Sequence, residues 1–334
     1  MARVFMEGCE SGAAPSFATT AGGGVSAVQK RTGAYSYLTT NDGNHWAYGA
    51  LPVGISELYV RIGVFPNADE SGVFFGLMNG TSHVLVLRRE QAVARLKVYS
   101  GTEAGTLMVT SANNTLIPGA WSCIEIYLKI DGVNGICTVK INGTACSTFN
   151  GDTLVGALNT VNCLKIGRVN NDVPVIYFDD FAVNDVNGAV NNSWIGQGGI
   201  RLGFVDGESA SHAVDFTPSA GANWQCVDEI PASDADYVSD ATVDAYDLYT
   251  LDTSSMPAAG TVSAVRWIAR AKVDVDAANI TPVIRSGVTT EQQADIPLST
   301  SYVVKSLIMD VDPIDDAAWT VAKVNALEIG VAVG

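Results

Sequence analysis

Positive charge is what this chain has least of. Its 334 residues hold 19 Lys and Arg against 35 Asp and Glu, a formal net charge of −16. Such a surface repels phosphate backbones and anionic bilayers, which argues against nucleic-acid and membrane partners. Histidine is scarce, at His45, His83 and His212 only. None of the three stands in an H-E-x-x-H motif, and G-x-S-x-G and paired-acid runs are absent too, so the expectation is a protein that is not an enzyme. No run of about 18 apolar residues is long enough for a membrane helix. The opening MARVFMEGCE lacks the apolar core of a secretory signal. Synthesis in a cytoplasm is the corresponding expectation, with any exterior location reached by lysis or within an assembly. Six cysteines occur, at 9, 123, 137, 146, 163 and 226. They form no C-x-x-C pair and have no histidine at ligand spacing, which argues against zinc.

What is present points to strands. Only 16% of residues are charged, 47% are hydrophobic and 33 are glycine, the make-up of short strands joined by tight turns. Two-residue alternation recurs along the chain: Leu58, Val60, Ile62 and Val64; Ala94, Leu96 and Val98 opposite Arg95 and Lys97; Leu327, Ile329, Val331 and Val333 near the end. The strongest hairpin signal joins Trp121–Ile130 to Ile136–Gly143 through Asp131-Gly132-Val133-Asn134-Gly135. Pairing Leu128 with Val139 and Ile126 with Ile141 sets Ile124, Ile126, Leu128, Ile130 and Cys137 on the buried face. In that register Cys123 points outward with Cys146 as a diagonal neighbour. A disulfide between Cys123 and Cys146 then needs a bent strand, because diagonal separations are about 7–8 Å. Six reduced and mostly buried thiols are the alternative.

Val175–Asp185 reads VIYFDDFAVND. Strict alternation puts Tyr177, Asp179, Phe181 and Val183 on one side and Ile176, Phe178, Asp180 and Ala182 on the other. Carboxylates inside an apolar strand are costly unless hydrogen-bonded or bound to a cation. Asp179 and Asp180 are therefore candidates either for structural hydrogen bonding or for a calcium site. The length suits two domains. The polar stretch DVNGAVNNS from Asp185 to Ser193 marks a boundary, giving residues 1–188, a linker 189–193 and residues 194–334. From Leu202 to Val265 there is no Lys or Arg, while acids recur from Asp206 to Asp252, an acidic and solvated face. Tyr237, Tyr246 and Tyr249 lie among them, and a helical turn is expected over Asp315–Ala318, before Trp319. Trp46, Tyr48 and Tyr177 are candidate glycan-contact aromatics.

Several of these features together resemble the concanavalin A-like, laminin-G-like jelly rolls: Phe5-x-Glu7-Gly8, Gly33-x-Tyr35-Ser36, Trp121 heading an Ile/Leu alternation, Asn142-Gly143 ending a hairpin, and Asp179-Asp180 near the close. The resemblance covers about residues 1–187 and implies an N-terminal jelly-roll sandwich. Members bind glycans or proteins through loops at one edge, some with calcium. Others hydrolyse glycosides through a Glu-x-Asp-x-Glu run, which is missing here because Glu125 is followed by Ile126-Tyr127. The second half carries DAYDLYTLD at Asp244–Asp252, then VRWIARAK and a closing AWTVAKVNALEIGV. It is similar to a module of structural proteins of tailed bacteriophages and reads as a second, smaller β-sandwich.

The whole is thus expected to be all-β. The resemblance implies a virion structural protein, a decoration protein of the capsid or a tail-surface protein on the outside of a particle. Its partners would be the major capsid or tail proteins, with a homo-oligomer, such as a trimer at a lattice threefold, by analogy with decoration proteins. The alternative is a glycan-binding adhesin or receptor-binding protein that recognises a host surface glycan. No cofactor is implied beyond the calcium ion considered for Asp179 and Asp180.

Overall fold

The computed structural model describes residues 2–19, 23–39, 46–167, 175–274 and 278–334. The chain divides into two compact units, Met1–Ile200 and Arg201–Gly334, and strand pairing in both is antiparallel. The division falls beyond the 189–193 linker read from the sequence, because the segment after it is fastened to the first unit. Trp194 packs edge-on against Tyr59 at 5.3 Å, with Lys140 Nζ 3.8 Å from the centre of its ring. A polar, Asn-rich composition marks chain that is poorly buried, and contacts can continue past it.

In the first unit, one sheet runs in the order Thr144–Gly151, Gly135–Ile141, Ser122–Lys129, Glu57–Pro66, Ile176–Asp185, Ser36–Thr39 and Gly24–Ser26; Arg3–Glu7 also pairs with Ile176–Asp185. The other is seven-stranded, in the order Leu107–Thr110, Arg95–Ser100, Ser82–Glu90, Gly72–Asn79, Val161–Gly167, Trp46–Ile55 and Phe17–Thr19. Their inner faces share one apolar core. Leu58, Val60, Ile62 and Val64 enter it from the first sheet; Leu96, Val98, Leu164 and Ile166 enter it from the second. Each such side chain contributes about 1.5–3 kcal/mol when buried, so the alternation that supplies them decides which face turns inward. The result is a sandwich of strands as the alternation predicts, of the jelly-roll type that the resemblance implies.

The central hairpin pairs Ile124 with Ile141, Ile126 with Val139 and Leu128 with Cys137, a register two residues away from the one read off the sequence. An even shift returns every side chain to its expected face, so the core set is unchanged. The cysteine pairing changes. Cys123 is 2% exposed, and its backbone N–H donates to Asn142 Oδ1 at 2.8 Å, while Cys146 packs against the inner core. Cys123 alternates away from Ile124, so the sheet itself lies between the two thiols. All six cysteines are free, which corrects the Cys123–Cys146 disulfide.

Burial pushes the Cys137 thiol up to about 12 and the Cys163 thiol up to about 11, so thiolate is scarce at neutral pH. Alkylation of the native protein is expected to be slow at every cysteine, with six adducts per chain, one for each free thiol, only in denaturant without reductant. Fewer adducts in an intact-mass measurement would mean that a disulfide exists.

In the second unit, a six-stranded sheet orders Phe204–Glu208, Tyr246–Asp252, Glu328–Val333, Asn279–Ser286 and Thr289–Gln292, with Ile296–Pro297 also paired to Asn279–Ser286. Val265–Ala271 and Val303–Met309 form a separate two-stranded sheet. Trp267, Ile280, Ile284, Met309, Trp319, Val324 and Leu327 make the core. The short helix lies at Val321–Asn325, after Trp319 and not over 315–318. Thr320 caps it, its hydroxyl accepting the Lys323 N–H at 3.1 Å. Residues 312–316 form a single turn in which the Asp316 N–H donates to the Asp312 carbonyl at 2.9 Å, and Asp315 binds the Lys323 ammonium at 2.7 Å.

The acidic run is only partly a solvated face. Asp247 is 0% exposed and accepts from the Asp215 and Phe216 N–H groups, the Asn223 amide and the Tyr249 hydroxyl. Four donors for one buried carboxylate identify it as an internal tie between segments distant in sequence. Tyr249 is buried beside it, whereas Tyr237 is exposed.

Candidate functional site

Two clusters in the first unit involve residues singled out from the sequence, and their chemistry differs. The first is centred on Asp179 and Asp180. A β-bulge interrupts the pairing of Ile176–Asp185 with Glu57–Pro66 between Asp179 and Ala182, and Asp180 takes φ +55°. The extra residue changes the parity of the strand: Ile176 and Phe178 enter the core before the bulge, Phe181 and Val183 after it. Strict alternation, which would separate the two carboxylates, therefore does not hold, and both serve the outer side of the sheet.

There they collect donors. Asp179 accepts from the backbone N–H groups of Arg31 at 2.8 Å, Thr32 at 3.2 Å and Asp180 at 2.7 Å. Asp180 accepts from the Arg31 guanidinium at 2.6 Å, the Thr32 hydroxyl at 2.7 Å and the Ile200 N–H at 2.6 Å. Gly63 leaves the room this needs, since a Cβ on it would lie 2.8 Å from Arg31 Cδ. Arg31 also donates to the carbonyls of Gln197 and Gly198, and Glu125 accepts the Gly196 N–H at 2.7 Å. Burial, and then the charge of Asp180, push the Asp179 carboxyl up from its ordinary range, while the three N–H donors pull it down. The three bonds are all accepted by Asp179 oxygens and offset part of that rise. A calcium ion requires several oxygen ligands, and these carboxylates face N–H, O–H and guanidinium donors, so the set does not fit the ion. Among the described residues no three His, Cys, Asp or Glu side chains are placed to hold a metal. The pair fastens the 26–34 and 194–200 segments to the sheet.

The second cluster lies on the outer face of the seven-stranded sheet. Ala47 and Leu51 point into the core, so Trp46 and Tyr48 point out; their rings meet edge-on with centroids 4.1 Å apart. Lys165 pairs with Tyr48 on one side and Gly76 on the other, which brings Lys165 Nζ to 5.3 Å from the Trp46 ring centre and 5.6 Å from that of Tyr48. His83 leans over Gly76, where a Cβ would meet its Cδ2 at 3.1 Å. Lys165 is only 8% exposed. Burial lowers its pKa, and burial followed by the charge of Lys165 lowers that of His83.

Of the candidate aromatics, Trp46 and Tyr48 are thus brought together and Tyr177 is not. Tyr177 lies on the other sheet, packed edge-on against Phe65 at 5.9 Å. His212 stacks on Tyr246 in the second unit, and His45 lies outside the described residues. Sequence reasoning passed over Lys165 and His83. The signal was available for Lys165, whose alternation with Leu164 and Ile166 places a lone cation on the face shared with Tyr48, but only strand order shows which residues stand beside it. A separate groove of about 450 Å³, lined by Ile117, Trp121, Ile141, Asn142 and Cys146 among others, contains no charged side chain.

No family model matches the sequence, and a comparison with curated proteins finds no similar one. Solved structures do resemble parts of the chain. An endo-β-1,4-glucuronan lyase from the fungus Trichoderma reesei is 12% identical, with a TM-score of 0.41 over 55% of this chain and 95% of its own. Domain 4 of an extracellular arabinanase from Geobacillus stearothermophilus, in complex with arabinotriose, is 15% identical, with a TM-score of 0.40 over 55% and 92%. A galectin from Caenorhabditis elegans is 13% identical, with a TM-score of 0.32 over 44% and 96%. Likeness at this level concerns β-sandwich architecture.

Proposed function

We propose that this protein binds carbohydrate on the outer face of its seven-stranded sheet, without cleaving it. The observation that carries the reading is the Trp46–Tyr48 pair, two half-buried rings that meet edge-on on the outer face of the sheet and are flanked by Lys165. Aromatic faces stack on the apolar faces of sugar rings, and a neighbouring polar head fixes orientation. Among the described residues, the strands of this sheet carry one carboxylate, Glu90, which is bound to Arg95 and Lys97, and so no pair for glycoside hydrolysis. The setting we assign to this binding is the surface of a tailed-phage particle, where the chain would act as a receptor-binding or decoration protein. What supports that placement is the resemblance of residues 194–334 to phage structural modules. Affinity electrophoresis against a panel of soluble polysaccharides tests the binding: Trp46→Ala with Tyr48→Ala is expected to abolish retardation of migration while leaving the melting temperature within a few degrees. Unchanged migration of the wild-type protein across the panel would overturn it. Antibody labelling of particles tests the placement.

A further inference from the structure

We infer that Lys165 and His83, beside the Trp46–Tyr48 rings, form a subsite for an anionic group of the bound saccharide, a uronate carboxylate or a sulfate ester. The inference deepens the carbohydrate-binding reading and rests on it.

The argument begins from charge that is left over. Lys165 is more than nine-tenths buried, and among the described residues its ammonium has no carboxylate or hydrogen-bond partner; beside it lie the two rings and the Cys163 thiol. The ammonium tip keeps some contact with solvent, and cation–π attraction to the two rings is worth only about 0.5–2 kcal/mol. The other basic side chains in the strands of this sheet are treated differently. Arg88 pairs with Glu103, Arg89 with Asp69, and Arg95 and Lys97 with Glu90. A chain with 35 acids to 19 bases has no shortage of carboxylates, yet none of the described ones is placed here.

Beside the ammonium, His83 Nε2 is buried and, among the described residues, has no hydrogen-bond partner. Buried polar atoms are normally satisfied, so an orphan calls for an explanation. The two groups are neighbours: Lys165 pairs across the ladder with Gly76, and the His83 ring lies over that glycine. A carboxylate or sulfate resting there, with its sugar ring against Trp46 and Tyr48, would give the ammonium its counter-charge, and a turn of the His83 ring that brings its sealed Nε2 to the surface would give the imidazole N–H an acceptor. A role for Lys165 as an apolar spacer would be met by methionine without the charge.

The test compares polymers that differ in charge alone. Pectate is set against its methyl ester, and dextran sulfate against dextran, each measured by affinity electrophoresis with the full chain, and the two anionic arms separate carboxylate from sulfate. The wild-type protein is expected to bind at least one anionic polymer tenfold or more tighter than its neutral partner, with an affinity that falls as salt rises. Lys165→Met should erase that preference and Lys165→Arg should keep most of it, each read as the ratio of the affinities for the charged and the neutral polymer. Equal binding of charged and neutral partners, or a preference untouched by Lys165→Met, overturns the subsite while carbohydrate binding stands. Absence of binding to all four polymers overturns the subsite as well; the wider polysaccharide panel then judges carbohydrate binding by itself. If Lys165→Met does not fold, Lys165→Arg and the salt dependence of the wild type carry the decision.

Discussion

Replacing Asp180 by alanine is expected to lower the unfolding free energy of the first unit by about 3–5 kcal/mol, the cost of removing one partner from a buried charge pair. Asp180 is fully buried and the Arg31 side chain 13% exposed, so water cannot readily take the place of the lost carboxylate. The Thr32 hydroxyl and the Ile200 N–H lose their acceptor in the same step. Backbone strain adds to this. Asp180 sits at φ +55°, where a residue without a short polar side chain pays about 1–2 kcal/mol. Asp180→Asn separates the contributions, because asparagine tolerates the left-handed conformation and keeps one accepting oxygen but loses the charge opposite Arg31. Its loss should be about 1.5–3 kcal/mol, the range for hydrogen bonds to charged groups. Urea titration followed by tryptophan fluorescence reads both variants. Proteolysis adds a local readout, since the 194–200 segment should become cleavable before the sheet unfolds. A loss under about 1 kcal/mol for alanine, which is the worth of an exposed ion pair, would show that the cluster does not fasten this segment.

That cluster also shows how far the sequence could be read. Period-two alternation located the strands and the core because burial of Ile62, Ile126 or Phe178 depends only on side-chain parity, which local pattern carries. Parity survived even a misread hairpin register, since the error at Ile126 and Val139 was an even number of residues. It failed at Asp179, where a bulge inserts one residue. A bulge is set by what the partner strands and loops offer, here the donors of Arg31 and Thr32, and no local periodicity reports that. The boundary was misplaced for a similar reason. Residues 189–193 look like a linker by composition, but Trp194, Gln197 and Ile200 find partners in Tyr59, Arg31 and Asp180, far away in sequence. The candidate site follows the same rule. Trp46 and Tyr48 stand out as aromatics two residues apart, whereas the placing of Lys165 and His83 beside them is a consequence of strand order.

Trp319→Ala tests the second unit in the same terms. The ring is 2% exposed within a core of seven buried residues, and deleting a buried Trp side chain costs about 3–5 kcal/mol. The indole N–H donates to the Met309 carbonyl at 3.0 Å, at the end of the Val303–Met309 strand. Thr320, the next residue, caps the Val321–Asn325 helix. One side chain therefore holds a strand end and a helix start. Trp319→Phe keeps much of the apolar volume but leaves the Met309 carbonyl without its donor, at about 1–3 kcal/mol. Domains are stable by about 5–15 kcal/mol in total, so the alanine variant should open readily. Hydrogen exchange is the measurement: amides of Val303–Met309 and Val321–Asn325 should exchange faster by on the order of a hundredfold or more, at about 1.4 kcal/mol per factor of ten. Glu57–Pro66 and Ser122–Lys129 belong to the other core and should keep their protection. Equal acceleration in both units would mean that the two cores unfold as one, and that the separation at Ile200 has no energetic counterpart.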